Sequence, residues 1–143
     1  MKILLIQGAN MEYLGKRQPE IYGTTTADEL DAMLHKAAPE HGFELDIRYT
    51  NIEGETINWI YEADRGDVKG LIMDPAGFVH TGYALRDCVK AVKLPYVEVH
   101  MSNIDKRGFH SVVATSADGM ISGFGLGSYF LALQAMRQLL GDG

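Results

Sequence analysis

Cysteine is almost absent from this chain, with Cys88 as the single example among 143 residues. One thiol cannot form an intrachain disulfide, and it cannot supply a cysteine-rich zinc site. Because Cys88 lies in an apolar, periodic stretch, we predict a buried and reduced thiol rather than a nucleophile. His35 and His41 lack companions of metal-ligating type, and no G-x-S-x-G motif marks a serine nucleophile. The sequence therefore predicts no metal site and no cysteine or serine nucleophile.

Clustered basic residues and long hydrophobic runs are missing as well. The net charge is −6 and no block of Lys and Arg occurs, so nucleic acid is not expected as a partner. The apolar run near the N-terminus ends by Gly8, which is too short for a signal peptide or a membrane span. With 46% apolar and 22% charged residues, the composition is that of an ordinary soluble domain. We therefore expect a cytoplasmic protein without membrane contact.

Short apolar runs alternate with amphipathic stretches along the whole chain. The apolar runs predict strands and the amphipathic stretches predict helices, one of which begins at a capping box of Thr26 and Glu29. Strict alternation from Phe43 to Thr50 indicates a strand at the sheet edge. The predicted strands are residues 2–7, 43–50, 70–73, 95–100 and 111–116, and the predicted helices are 26–38, 53–63, 81–92 and 126–140. This order predicts an α/β fold, a flavodoxin-like doubly wound five-stranded parallel sheet, in a single domain of residues 1–143.

The loop that follows the first strand, about residues 8–24, is the first candidate for function. Ligands of such sheets bind beyond the carboxyl ends of the strands, and this loop is long enough to act as a lid. It carries Asn10, Arg17 and Tyr22. Tyr22 fits either a packing residue or a general base, and a phenol needs a neighbouring cation to ionise near neutrality. Arg17, five residues earlier, is the candidate for that cation.

Two further strand ends carry ionisable side chains. His80 follows the third strand and fits a capping or core residue as well as a site residue. Glu98 and His100 are two residues apart on a strand and therefore point to the same face, as a surface ion pair or as a tuned acid. Ser102 and Asn103 then offer backbone N–H groups that suit an anion.

A glycine-rich segment, GFGLG at residues 123–127, superficially suggests a nucleotide-binding loop. It lacks the spacing of the dinucleotide fingerprint, and no strand with an acidic residue follows it. We therefore predict that this segment only lets a strand pass tightly into the last helix.

Together, these segments resemble the type II 3-dehydroquinate dehydratases. The family pattern H-T-x-x-A-L-R-D recurs as His80 to Asp87, and E-V-H-x-S-N recurs as Glu98 to Asn103. The ending GFGLGSYFLAL is similar to the last strand–helix junction of that family. The family's G-P-N-x-x-x-L-G-x-R-x-P-x-x-Y-G is matched at Gly8, Asn10, Leu14, Gly15, Arg17, Pro19, Tyr22 and Gly23. The resemblance covers nearly the whole chain and keeps order and spacing.

The resemblance implies reversible loss of water from 3-dehydroquinate to give 3-dehydroshikimate, without metal or cofactor. By position, Tyr22 would remove a proton next to the ketone, and Arg17 would favour its ionised form. Asn10 would help to hold a water molecule that stabilises the enolate. His100, oriented by Glu98, would protonate the departing hydroxyl group. One base, one acid and an enolate stabiliser are what such a reaction requires.

The resemblance also implies how substrate and subunits are held. Backbone groups of Met101 and Ser102 would hold the substrate carboxylate, with His80 beside it. Asp87 would reach the site of a neighbouring subunit, in trimers that assemble into a dodecamer. The pathway served would be shikimate-pathway biosynthesis of aromatic amino acids or quinate catabolism.

Two departures from the family pattern bear on the substrate. Asp74 stands where the family has Asn, and an ionised carboxylate cannot donate hydrogen bonds as an amide does. Asp74 could be protonated, turned away, or matched to a different substrate. The segment after Ile104 is shorter than in the family and lacks its Arg, so that only Arg107 is available from a shifted position. The alternatives are a paralogue acting on a related polyol ketone or amino analogue, a non-catalytic binding protein, and a flavodoxin-like electron carrier.

Overall fold

A computed structural model of the chain describes residues 1–141, in which five strands alternate with helices. The strands are β1 (Lys2–Ala9), β2 (Glu44–Tyr49), β3 (Val68–Ala76), β4 (Tyr96–His100) and β5 (Gly119–Ser122). The α-helices are α1 (Pro19–Tyr22), α2 (Ala27–Ala37), α3 (Glu53–Arg65), α4 (Tyr83–Ala91) and α5 (Gly127–Leu140). Short 3₁₀ turns occupy Met11–Tyr13, Ala38–His41, Gly77–Val79 and Val113–Ser116.

All neighbouring strands of the sheet run parallel, in the order β2-β1-β3-β4-β5. This arrangement confirms the predicted flavodoxin-like doubly wound fold, and β2 lies at one edge as its alternating sequence predicted. The capping box that begins α2 is also present, since Thr26 Oγ1 accepts a hydrogen bond from Glu29 N–H and the Glu29 carboxylate accepts one from Thr26 N–H.

The core consists of two layers, one on each face of the sheet. Ile3 and Leu5 of β1 pack into the layer that contains α2 and α5, whereas Leu4 and Ile6 pack into the layer beneath α3 and α4. All four side chains are buried, because helices cover both faces of this central strand. Their burial explains why the start of the sequence is an uninterrupted apolar run.

The strand predicted at residues 111–116 is wrong. Ser111 Oγ accepts the N–H of Ala114, and Ser116 Oγ donates to the carbonyl of Val113, so these residues fold into a 3₁₀ turn instead. Such local hydroxyl bonds compete with strand pairing. The fifth strand is Gly119–Ser122. It has only four residues and is half exposed, so its sequence shows no clear apolar pattern.

Strands β1 and β3 approach each other closely near their carboxyl ends, at Gly8 and Pro75. A Cβ atom added at Gly8 would collide with the carbonyl oxygen of Pro75 and lie 2.7 Å from its carbonyl carbon. β3 also extends through Ala76, beyond the predicted end at residue 73. No helix within residues 1–141 is long and apolar enough to cross a membrane.

We expect Gly8→Ala to lower the free energy of unfolding by about 1–3 kcal/mol, because backbone atoms must move to admit the methyl group. Urea denaturation of the wild type and of Gly8→Ala would measure this change in the free energy of unfolding. Gly54→Ala is the matched control, since nothing lies within 4 Å of its added Cβ. Equal unfolding midpoints for Gly8→Ala and Gly54→Ala would contradict the predicted collision.

Candidate active site

A cavity of about 120 Å³ opens beyond the carboxyl ends of β3 and β4, beneath the loop that follows β1. This is the edge of a doubly wound sheet at which ligands bind. Among the residues singled out from the sequence, those that line the cavity are Arg17, Tyr22, Asp74, His80, His100, Met101, Ser102 and Arg107. The proposed base and the proposed acid therefore face one space, although 78 positions of sequence separate Tyr22 from His100.

Asn103, Glu98, Asn10 and Asp87 were also singled out, and they do not line the cavity. Glu98 is fully buried behind His100. Asn10 has left-handed backbone angles and donates its backbone N–H to Asn51 Oδ1 at 2.8 Å. Asp87 is exposed on α4 and pairs with Arg86 at 3.0 Å.

His100 is a buried imidazole that a carboxylate holds from behind. Its Nε2 lies 2.7 Å from Glu98 Oε2, while Glu98 Oε1 accepts the hydroxyl of Tyr96 at 2.7 Å. Burial alone would lower the pKa of His100, but this pKa is raised, and the hydrogen bond to Glu98 is the largest of the contributions that raise it. The protonated imidazole is therefore favoured, and its Nδ1 remains available on the side of Asp74.

Asp74 is buried beside His100 at the end of β3. Its Oδ1 accepts the N–H of Ala76 at 3.0 Å and lies 3.8 Å from His100 Nδ1, which is longer than a hydrogen bond. Its Oδ2 lies 3.0 Å from the hydroxyl oxygen of Tyr129. Burial raises the pKa of the Asp74 carboxyl, and its contacts with His100, Ala76 and Tyr129 reverse this only in part. The protein itself thus provides partners for both carboxyl oxygens.

Two guanidinium groups surround the half-buried Tyr22. The Arg17 guanidinium lies 5.3 Å from the centre of the Tyr22 ring. Arg107 lies 5.9 Å from the same centre, and its Nη1 donates to the Tyr22 hydroxyl oxygen at 3.2 Å. Arg107 also donates to Ser102 Oγ at 2.8 Å and stacks on Phe109 at 5.2 Å. The Tyr22 hydroxyl therefore accepts a hydrogen bond from one guanidinium group, while a second guanidinium lies near its ring.

The glycine-rich segment after β5 supports the strand end that carries His100. Gly123 N–H donates to the carbonyl of His100 at 3.2 Å, and Gly125 N–H donates to that of Met101 at 2.9 Å. Both glycines have positive φ, +105° and +61°, which other residues rarely adopt. The segment does lead β5 into α5 as predicted, but its hydrogen bonds to the site were not predicted.

Sequence reasoning also missed three buried side chains behind the cavity, Gln7, Tyr96 and Tyr129. Tyr96 holds Glu98, while the Tyr129 hydroxyl lies between Gln7 Oε1 at 2.8 Å and Asp74. Gln7 offered a signal, because an amide in a strand covered on both faces requires a buried partner. Tyr129 offered none, since its position in α5 is that of an ordinary apolar residue.

The cavity thus combines a cation-bound phenol with a buried imidazole whose protonated form is favoured. Such a pair can remove one proton and deliver another within a single small site, which is general acid–base chemistry. Within residues 1–141, no group of three or more His, Cys, Asp or Glu side chains is arranged to hold a metal ion.

Comparison with known proteins identifies the family. The family model Dehydroquinase class II matches residues 1–137. The chain belongs to this family. As a class II dehydroquinase family member it is 43% identical, over 144 residues, to the 3-dehydroquinate dehydratase of Idiomarina loihiensis, covering 99% of this chain and 95% of that protein.

Solved structures of class II dehydroquinases have the same fold. The type II dehydroquinase from Butyrivibrio crossotus superimposes with a TM-score of 0.93 at 33% identity, covering 96% of this chain and 97% of that chain. The type II dehydroquinase from Propionibacterium acnes gives a TM-score of 0.90 at 37% identity, with 96% of each chain covered. The similarity therefore extends over nearly the whole chain.

Proposed function

We propose that this class II dehydroquinase is a hydro-lyase that dehydrates 3-dehydroquinate to 3-dehydroshikimate. The observation that carries the proposal is that Tyr22 and His100 line one cavity in a chain 43% identical to a 3-dehydroquinate dehydratase over nearly its full length. The chemistry needs one base and one acid at a small hydroxylated ketone, and the cavity supplies both.

In the first step, the Tyr22 phenolate takes the proton from the carbon next to the substrate ketone. The electrons of the broken C–H bond form an enolate, and Tyr22 becomes a neutral phenol. Arg107 donates to the Tyr22 oxygen directly, and Arg17 lies over its ring, so that both cations stabilise the phenolate before the transfer. The family resemblance assigns Asn10 to hold a water molecule on the enolate oxygen, although the Asn10 side chain does not line the cavity in this structure.

In the second step, the enolate collapses and the C–O bond to the hydroxyl group at the β carbon breaks. His100 gives its proton to the departing oxygen, which leaves as water. Glu98 stabilises the imidazolium before the transfer and fixes the orientation of its ring. The double bond that forms is conjugated with the ketone, so the product is an enone.

The substrate carboxylate is assigned to the turn after β4. Met101 and Ser102 line the cavity there, as does His80, whose ring lies tilted against that of Phe109 with 4.9 Å between the ring centres. Hydrogen bonds from Gly123 and Gly125 fix this turn from behind. Oriented backbone dipoles of this kind suit an anion.

The remaining proposals concern the location, the oligomeric state and the pathway of the enzyme. We infer a cytoplasmic homo-oligomer built from trimers, with Asp87 directed to a neighbouring subunit, since Asp87 is exposed and outside its own cavity. The reaction would serve shikimate-pathway biosynthesis of aromatic compounds or quinate catabolism.

The test of the function is an assay with 3-dehydroquinate as the substrate. We expect ultraviolet absorbance of the conjugated enone to rise when the purified protein is mixed with 3-dehydroquinate. The absence of any signal at high protein concentration would refute the proposed substrate and direct the search to related polyol ketones.

Arg107→Ala should lower kcat/KM for 3-dehydroquinate roughly ten- to a hundred-fold, because it removes a charged donor to the base. Steady-state kinetics would measure the change. Lys106→Ala is the control, because the exposed Lys106 next to it does not line the cavity. Equal kinetics for the two variants would exclude a role of Arg107 in the site.

A further inference from the structure

Three buried polar side chains meet beneath the floor of the cavity. The Tyr129 hydroxyl oxygen lies 2.8 Å from Gln7 Oε1 and 3.0 Å from Asp74 Oδ2. Gln7 is 0% exposed, Tyr129 is 1% exposed and Asp74 is 5% exposed, so water does not compete for these contacts. Every hydrogen in this cluster therefore has to be assigned to a protein group.

The Tyr129 hydroxyl has only one proton, and this limits which hydrogen bonds the cluster can form. A phenol donates one hydrogen bond, yet both neighbours of the Tyr129 oxygen are oxygen atoms that ordinarily accept. If Tyr129 donates to Gln7 Oε1, the contact to Asp74 requires that the carboxyl group carry the proton. Asp74 then donates to Tyr129 and still accepts the N–H of Ala76 through Oδ1.

The count of charges leads to the same assignment. Two carboxyl groups, Asp74 and Glu98, flank the single imidazole of His100. Each oxygen of Glu98 has a hydrogen-bonding partner, the Tyr96 hydroxyl at one and the His100 ring at the other, which is the contact pattern of a carboxylate. With Asp74 neutral, the buried cluster contains one anion and one cation.

Turning over the Gln7 amide would satisfy the count of hydrogens without a proton on Asp74, but it would not satisfy the count of charges. Gln7 Nε2 would then donate to Tyr129, and Tyr129 would donate to an ionised Asp74. In the orientation of the structure, Gln7 Nε2 has no hydrogen-bond partner within the described residues. The turned amide would add an unbalanced negative charge to the buried cluster, which is strongly unfavourable.

We propose that Asp74 is a neutral carboxylic acid in the resting protein, with its proton on Oδ2 and donated to Tyr129. In this state Asp74 has the hydrogen-bonding pattern of an amide, with one donating and one accepting end. It therefore adds no negative charge to the cavity floor and permits an anionic substrate to bind. Asp74 thus selects for the charge of the substrate. When Asp74 loses its proton, its negative charge repels an anionic substrate and weakens binding.

The surroundings of Asp74 explain why the proton is retained. The ionisable and charged groups that face it are His100 and Glu98 from β4 and Tyr129 from α5, while β3 contributes the N–H of Ala76. Burial raises the pKa of Asp74, and the negative charge of Glu98 raises it further, against the opposing contributions of His100, Ala76 and Tyr129.

The proton can be observed without any substrate, by infrared spectroscopy of the purified protein. At about neutral pH the wild-type protein should show the carbonyl stretch of a protonated carboxylic acid, and Asp74→Asn should lack it. In the wild-type protein the same band should disappear as pH is raised. Loss of a carboxylate band, instead of an acid band, on going to Asp74→Asn would overturn the proposal.

Stability gives a second readout with a defined sign. A carboxyl whose pKa is raised on folding binds its proton more tightly in the folded state, so its contribution is complete below the ordinary aspartate pKa and is lost as pH rises through the raised value. We expect the free energy of unfolding of the wild type, relative to Asp74→Asn, to fall with rising pH. A wild type that gains stability relative to Asp74→Asn over this range would contradict the assignment.

The kinetic consequence rests on the proposed function, since it needs an anionic substrate. The ratio of kcat/KM for Asp74→Asn over wild type should increase with pH, by up to roughly a hundred-fold once Asp74 is ionised next to a carboxylate. The increase should appear mainly in KM of the wild type. A ratio that is already high and constant from about pH 6 upward would mean that Asp74 is ionised throughout, and would overturn the proposal.

The two kinds of measurement separate the two proposals. If 3-dehydroquinate is not turned over at any pH while the acid band of Asp74 is present, the proposed function fails and the protonation of Asp74 stands. If 3-dehydroquinate is turned over but the acid band of Asp74 is absent, the proposed function stands and the protonation of Asp74 is refuted.

Discussion

Replacing Tyr22 by phenylalanine is expected to lower kcat for 3-dehydroquinate by roughly a thousand-fold or more, while leaving the fold intact. The loss is large because the phenol oxygen is the only group assigned to take the proton, and general bases of this kind contribute roughly a hundred- to ten-thousand-fold. Phenylalanine keeps the ring over which Arg17 lies and removes only the oxygen that contacts Arg107. Enone absorbance at saturating substrate would measure kcat.

Tyr13→Phe is the matched control for this variant. Tyr13 belongs to the same loop, is 62% exposed and has Lys16 over its ring, so it combines a phenol with a nearby cation outside the cavity. We expect its kinetics to equal those of the wild type. Turnover by Tyr22→Phe within about ten-fold of the wild type would remove Tyr22 from the role of base.

Replacing His100 by glutamine should lower kcat by roughly a hundred- to ten-thousand-fold, with a smaller effect on KM. Glutamine can still donate a hydrogen bond, but it cannot give a proton to the departing hydroxyl group. His110→Gln is the control, because His110 is exposed, does not line the cavity, and has its ring 2.9 Å from the carboxylate of Asp105. A kcat for His100→Gln near that of His110→Gln would exclude His100 as the acid.

The pH dependence of kcat offers a further check on His100. The acid has to be protonated to act, so kcat falls as pH rises through the pKa of His100, which the protein raises. Glu98→Gln removes the carboxylate that raises this pKa, while burial, which lowers it, remains. The decline of kcat should therefore move to lower pH in Glu98→Gln, and an unmoved decline would show that Glu98 does not tune the acid.

Much of the fold could be predicted because its determinants are local. The run from Ile3 to Ile6 has no polar interruption and forms the central strand, and Thr26 with Glu29 begins a helix through hydrogen bonds only three residues apart. The prediction failed at residues 111–116, where serine and threonine hydroxyls bond to backbone groups three residues away. An apolar pattern contains no information about these competing bonds.

The sequence predicted the main candidate residues of the site, but not the contacts that hold these residues in place. Glu98 and His100 could be paired from the sequence, because two residues along a strand always share a face. The contact of Arg107 with Tyr22 could not be deduced, since it joins residues 85 positions apart whose separation depends on a turn after β4. The same is true of the hydrogen bonds by which Gly123 and Gly125 hold the strand end.

Local patterns in the sequence were enough to predict the order and type of most elements, the central buried strand, the edge strand and the candidate residues for acid–base chemistry. Hydrophobic periodicity and capping act over a few residues, and the sequence displays them directly. The tertiary structure was needed to show that Gln7, Asp74 and Tyr129 meet in one buried cluster, and that Arg107 contacts the Tyr22 hydroxyl. Contacts between distant residues depend on strand register and helix packing, which set atomic distances that no local pattern contains.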